Sequence, residues 1–149
     1  MGAQGTATTV SKTFSRATQV SISIAASPAS VWRLLTAASE YPRWNSTVVS
    51  VKGEIVAGSK IELVSTLDPS RTFKLKVKQF EPTRRLAWGD ALGTRVYTLT
   101  ETNDGQTLFD MKERIGGPVF PLFANKIPSF DASFEQFAAD LKVAAEKAG

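Results

Sequence analysis

Three polar side chains fall on surfaces that the surrounding residues mark as apolar. In segment 107–115, Phe109, Met111 and Ile115 share one face, and the two-residue period of a strand puts Glu113 on that face with them. Asp110, Lys112 and Arg114 take the other face. In segment 94–101 the bulky pair Tyr97 and Leu99 defines the inward face, which brings Arg95 with it and leaves Val96 and Thr98 outside. A carboxylate, a phenol and a guanidinium gathered on one apolar surface are candidates for general base, general acid and oxyanion partner, since burial and mutual proximity can move their pKa values toward neutrality. They read equally as an ion pair beside a hydroxyl, because a buried carboxylate is costly unless it is partnered and Arg95 is a suitable partner. The residues alone leave both assignments open.

Composition narrows the chemistry further. The 149 residues contain no histidine and no cysteine, which removes the commonest general base, thiolate ligands and disulfides, so neither a metal nor a cofactor is expected. A net charge of +4 reads as a mildly basic, soluble surface. Lys74, Lys76 and Lys78, with Arg71, line one strand face without interleaved aromatic side chains, so they read as a solvated face and no nucleic acid is expected as partner. The glycines of Gly53 to Lys60 have the spacing of a phosphate loop, but Ser59 and Lys60 stand in reversed order and a strand follows. No apolar run approaches the roughly 18 residues of a membrane span, and the first nine residues lack a secretory core, so stable membrane insertion is not expected and the cytoplasm is the expected compartment.

The elements that must position these side chains follow from periodicity. Residues 1–11 show none and read as a flexible arm; residues 12–149 read as a single domain. Segment 14–24 alternates as a strand. Ser27 and Pro28 start a helix continued by Val31, Leu34, Leu35 and Ala38, and Pro42 breaks it, leaving a short helical turn at most. Strands are predicted over 46–52, 60–67, 71–80, 84–89, 94–101 and 107–115, with separators too short for parallel crossovers, so the sheet is an antiparallel meander. A long helix is predicted over 128–147, with Phe130, Phe134, Phe137, Leu141 and Ala144 on one stripe and Glu135, Asp140, Lys142, Glu146 and Lys147 opposite. The fold class is α+β, with helices on one face of the sheet.

Ser27-Pro28-Ala29-Ser30-Val31-Trp32, then Tyr41-Pro42-Arg43-Trp44-Asn45, then a meander and a terminal amphipathic helix, resemble the START-like SRPBCC superfamily, in particular its polyketide cyclase/dehydrase and lipid-transport branch. The resemblance covers about residues 14–147 and implies a helix-grip fold, in which a seven-stranded curved sheet wraps a long C-terminal helix and leaves a cavity for an apolar ligand. On that expectation Leu75, Val77, Trp88, Phe109, Met111, Phe130, Phe134, Phe137 and Leu141 line the ligand site, although each also reads as ordinary core. Trp32 and Trp44 read as framework, with Trp44 and Asn45 also placed to edge an entrance, and the Gly53 to Lys60 hairpin lies near an opening. The expected function is binding of a small hydrophobic or amphipathic ligand, of the lipid, polyketide or isoprenoid kind. The alternative is a polyketide cyclase/dehydrase-type enzyme using Glu113, Tyr97 and Arg95 as base, acid and oxyanion partner. No residue pattern selects one ligand or an oligomeric state.

Overall fold

A computed structural model describes residues 5–122 and 124–148. Eight strands form one curved antiparallel sheet: β1 (Thr8–Ser11), β2 (Ser15–Ile24), β3 (Val48–Lys52), β4 (Lys60–Ser65), β5 (Phe73–Glu81), β6 (Arg85–Gly89), β7 (Gly93–Glu101) and β8 (Thr107–Gly116), in the order β1-β2-β8-β7-β6-β5-β4-β3. Helices α1 (Pro28–Thr36) and α2 (Tyr41–Trp44) connect β2 to β3, and α3 (Asp131–Ala148) closes the chain across the concave face. The seven expected strands and the terminal helix are all present.

The eighth strand was not expected. Within the segment read as an arm, residues 1–4 lie outside the described residues, and Thr8–Ser11 pairs with Arg16 to Gln19 of β2. Two contacts to α3 hold it: the Ala7 amide donates to Glu135 Oε2 at 2.9 Å and Thr9 Oγ1 donates to Asp131 Oδ1 at 2.5 Å. Short edge strands carry little alternation, so tertiary bonds rather than pattern define this one.

Helix α1 starts as its sequence requires, with Ser27 Oγ accepting the Ser30 amide and Pro28 at the first helical position. Val31 and Leu35 are buried beneath it, and the Leu35 carbonyl accepts a 2.6 Å bond from Tyr41 Oη. Asn45 then ties this region to α3: its Nδ2 donates to the Phe137 carbonyl at 3.3 Å, while its Oδ1 accepts from the Thr47 amide and hydroxyl at 3.1 and 2.6 Å. Asn45 is therefore a buried clamp, not an entrance residue. Its amide and carbonyl are satisfied within the fold, as a buried polar group demands.

Helix α3 begins at Asp131, three residues later than the periodicity predicted. Pro128 and Ser129 remain outside, and the first helical bond runs from the Phe134 amide to the Phe130 carbonyl at 2.8 Å. Phe134, Phe137, Ala138, Leu141 and Ala145 are buried, Phe130 is half-buried, and Ala145 rather than Ala144 ends the stripe. The flanks of α3 are not left to solvent. Lys142 Nζ donates to the Ser23 carbonyl at 2.9 Å, Glu146 Oε2 accepts the Ala25 amide at 2.8 Å, and Asp140 Oδ2 accepts the Ser46 amide at 2.8 Å, so polar side chains on both flanks fasten the helix to the sheet rim.

On β5 the expected faces hold as far as Val77, with Lys74, Lys76 and Lys78 exposed. A bulge between Val77 and Gln79 then inserts one residue, reversing the parity, so that Phe80 returns inward and packs edge-on to Trp32 at 5.2 Å between ring centroids.

Candidate functional site

Register brings the three polar side chains together. Arg95 on β7 is directly opposite Glu113 on β8, and Tyr97 is opposite Met111. Arg95 Nε donates to Glu113 Oε1 at 2.7 Å, and the α3 helix covers the pair, with the Phe134 ring 4.9 Å from the guanidinium carbon. A transverse row runs through them, from Val77 on β5 to Trp88 on β6, Arg95, Glu113 and Thr18 on β2. Thr18 is buried, and its hydroxyl lies 3.1 Å from Thr9 Oγ1, which is itself bound to Asp131. The polar strip is longer than the sequence reading allowed. Its outer end depends on β1, which carries no periodic signal.

Electrostatics within the strip favour one protonation pattern. Burial works against the Arg95 charge, but Glu113 and Tyr97 more than offset it, so the guanidinium is held protonated more firmly than an exposed arginine. Burial raises the Tyr97 pKa above its usual 10.0; Arg95 pulls it partly back and Glu113 pushes it up. Tyr41 is raised well above 10.0, first by burial and then by Tyr97, against a smaller opposing pull from Arg95. Both phenols are therefore neutral donors at physiological pH. The side chains of Arg95 and Glu113 keep 20% and 19% of their surface exposed, so water reaches the pair from one side and its desolvation cost is moderated.

Beside this strip the concave face is aromatic. Phe137 of α3 stacks on Tyr97 at 5.7 Å and on Phe109 at 6.3 Å, and meets Trp44 at 5.8 Å and Tyr41 at 6.4 Å. Trp88 closes on Tyr97 at 5.2 Å. Two polar atoms in this cluster, Tyr97 Oη and Trp44 Nε1, are buried with no hydrogen-bond partner among the described residues. Arg95 lowers the Tyr97 pKa by its charge and by a donor contact that falls short of hydrogen-bond geometry, and because a guanidinium only donates, the phenol O–H is left without an acceptor. Buried polar atoms are satisfied in the large majority of cases, so two orphans around one ring are informative.

Of the residues expected to line a ligand site, Val77, Trp88, Phe109, Met111, Phe134, Phe137 and Leu141 are buried, while Leu75 and Phe130 are partly buried against the same core. They pack against one another. Two surface clefts open elsewhere. One, of about 490 Å³, lies by the β5–β6 turn between Pro28, Glu81, Arg84 and Thr100. The other, of about 590 Å³, separates the end of α1 from the β3–β4 hairpin and is lined by Thr36, Ser39, Val51 and the Gly53 to Val56 loop, with no residue of α3 in its walls. Sequence reasoning passed over Thr18, Tyr41 and the orphaned Trp44 indole nitrogen. Thr18 was legible as an inward residue of β2; the other two depend on where α2 docks, which periodicity does not report.

The fold is shared widely. The structure matches a conserved protein of unknown function from Enterococcus faecalis (TM-score 0.70, 18% identity, covering 95% of this chain and 78% of that one). It also matches a protein from Mesorhizobium loti (TM-score 0.69, 20% identity, 90% and 99%) and a START superfamily protein from Mycobacterium smegmatis (TM-score 0.65, 14% identity, 89% and 99%). No curated protein matches the chain. The family described as polyketide cyclase / dehydrase and lipid transport matches residues 15–146, from the first residue of β2 nearly to the end of α3, and the chain belongs to that family.

Proposed function

We propose that the chain binds a small hydrophobic or amphipathic molecule between the sheet and α3, and that it acts as a binder or carrier. The observation that carries this reading is the pair of orphaned donors, Tyr97 Oη and Trp44 Nε1, on two rings that both pack against Phe137. Each leaves about 1–3 kcal/mol of desolvation uncompensated. A ligand oxygen, carbonyl or hydroxyl, would satisfy such donors, while aromatic and aliphatic side chains would take the rest of the molecule. The ligand enters by displacing the Phe134 and Phe137 rings from the sheet. Acid–base catalysis is less well served, because Arg95 already engages Glu113 and the raised pKa of Tyr97 makes its phenol a poorer proton donor.

The test is titration with oleate and with its alcohol, followed by tryptophan fluorescence and calorimetry. Binding is expected with a negative heat-capacity change. Phe134→Arg places a cation against the Arg95 guanidinium and should abolish binding, whereas Lys76→Glu, on the solvated face of β5, should leave it intact. Equal losses from the two substitutions would overturn an enclosed site at α3.

A further inference from the structure

The link between β8 and α3 presents apolar side chains outward at one end of the molecule. Pro118, Val119, Pro121 and Leu122 are exposed, Val119 at 56% and Leu122 at 78%, while Phe120 between them is buried and fixes the turn. Phe14, in the β1–β2 turn, is 56% exposed and joins them, its carbonyl accepting the Gly117 amide at 3.0 Å. This approach requires glycine: a Cβ on Gly116 would stand 2.6 Å from the same carbonyl, and Gly117 has φ +144. A single exposed leucine needs no explanation, but a contiguous tip built from two turns and locked by its backbone does.

The two segments that form this tip, residues 12–16 and 114–130, carry charge of one sign. No Asp or Glu precedes Glu40, and none lies between Glu113 and Asp131. Lys12, Arg114 and Lys126 are exposed and take part in no ion pair among the described residues, and Arg16 braces the link by donating to the Ile127 and Pro128 carbonyls at 3.2 and 2.8 Å. The carboxylates at the margins of this end keep their charge, but each already accepts a hydrogen bond from within the fold. Glu113 is held by Arg95, Asp131 by Thr9, Glu135 by the Ala7 amide, and Asp90 by the Leu92 and Gly93 amides of the β6–β7 turn. A second copy of this face would bring like charge against like charge, which disfavours self-association through it.

We propose that this tip docks the protein on an anionic lipid surface. Val119, Leu122 and Phe14 enter the headgroup layer while Lys12, Arg114 and Lys126 meet lipid phosphates. From the tip two stacked rings held between two cations lead inward: Arg16 lies 5.1 Å from the Phe130 ring, Phe130 stacks on Phe134 at 6.0 Å, and Phe134 covers Arg95 at 4.9 Å. Docking therefore addresses the end of α3 nearest the polar strip. The docking inference does not depend on a ligand being bound there.

Flotation with vesicles of phosphatidylcholine, alone or mixed with phosphatidylglycerol, tests it directly. The protein should float with the mixed vesicles and not with phosphatidylcholine alone, and added salt should release it. Leu122→Asp should lower the partition coefficient roughly 10-fold or more, from loss of a buried aliphatic side chain. Lys126→Glu should lower it at least about fivefold, since each cation near such a surface is worth about that factor. Val143→Asp, at an exposed apolar position near the far end of α3, and Lys76→Glu should change nothing. All four positions are exposed, so folding is retained and is checked by thermal melting. Failure to float, equal losses from the two control variants, or a Leu122→Asp effect seen only as loss of self-association in light scattering would each overturn the proposal. None of these outcomes depends on whether oleate binds beneath α3.

Discussion

Replacing Tyr97 by phenylalanine separates the needs of the free protein from those of the bound one. In the free protein the Tyr97 hydroxyl is buried without a partner, and such a group costs about 1–3 kcal/mol relative to its absence. Tyr97→Phe keeps the ring that packs against Trp88, Phe109 and Phe137, and deletes only the unmatched oxygen. The ligand-free variant should therefore be more stable than the parent. For a domain of 149 residues each kcal/mol corresponds to a Tm increase of roughly 2–4 °C. Binding should move the other way: losing one net hydrogen bond to a ligand oxygen, about 0.5–1.5 kcal/mol, weakens oleate roughly 2–10-fold. The assay is thermal and guanidinium unfolding of protein refolded from denaturant, which strips retained ligand, paired with fluorescence titration. A variant less stable than the parent by more than about 1 kcal/mol would mean that the hydroxyl is satisfied in the free state. The orphaned donors would then no longer mark a ligand site.

Two further outcomes follow from the same cluster. Tyr41 and Tyr97 both have folded-state pKa values raised above 10.0, so the stability they contribute is fully present below pH 10 and is lost as pH rises from there toward their folded values, at up to about 1.4 kcal/mol per pH unit for each; urea midpoints measured between pH 9 and 11 should fall less steeply in Tyr97→Phe, and parallel curves would contradict the burial of that phenol. Glu113→Gln removes the charge opposite Arg95 and should lower stability by about 1–3 kcal/mol while leaving ligand affinity within a few-fold; a substrate whose turnover fell by roughly 10²–10⁴ in this variant would restore the acid–base reading.

Sequence periodicity located what depends on neighbours along the chain. The placement of Glu113 among Phe109, Met111 and Ile115 needed only the pleat of one strand, and its meeting with Arg95 needed only the short turn joining β7 to β8. What escaped depends on contacts distant in sequence. Strand β1 is held by Asp131 and Glu135, more than a hundred residues away, and Thr8–Ser11 has no alternation of its own. The reversal at Phe80 comes from a bulge, which shifts parity without marking the sequence. The late start of α3 at Asp131 reflects the extended chain from Pro128 to Phe130, a choice between two backbone paths that both keep Phe130 near Phe134. The orphaned donors were invisible because a missing partner can be recognised only after every neighbour is placed.

Strand β1 has a role apart from any ligand. Beneath it, β2 presents a ten-residue ladder that β1 covers only along Arg16 to Gln19, with Thr9 and Ala7 pinning the cover to α3. Stripped of that cover, β2 would become an open template for the backbone of another chain. A four-residue edge strand outside the family match thus stands where a ten-residue edge would otherwise lie open, and shortening the chain to begin at Lys12 should bring insolubility sooner than loss of the core.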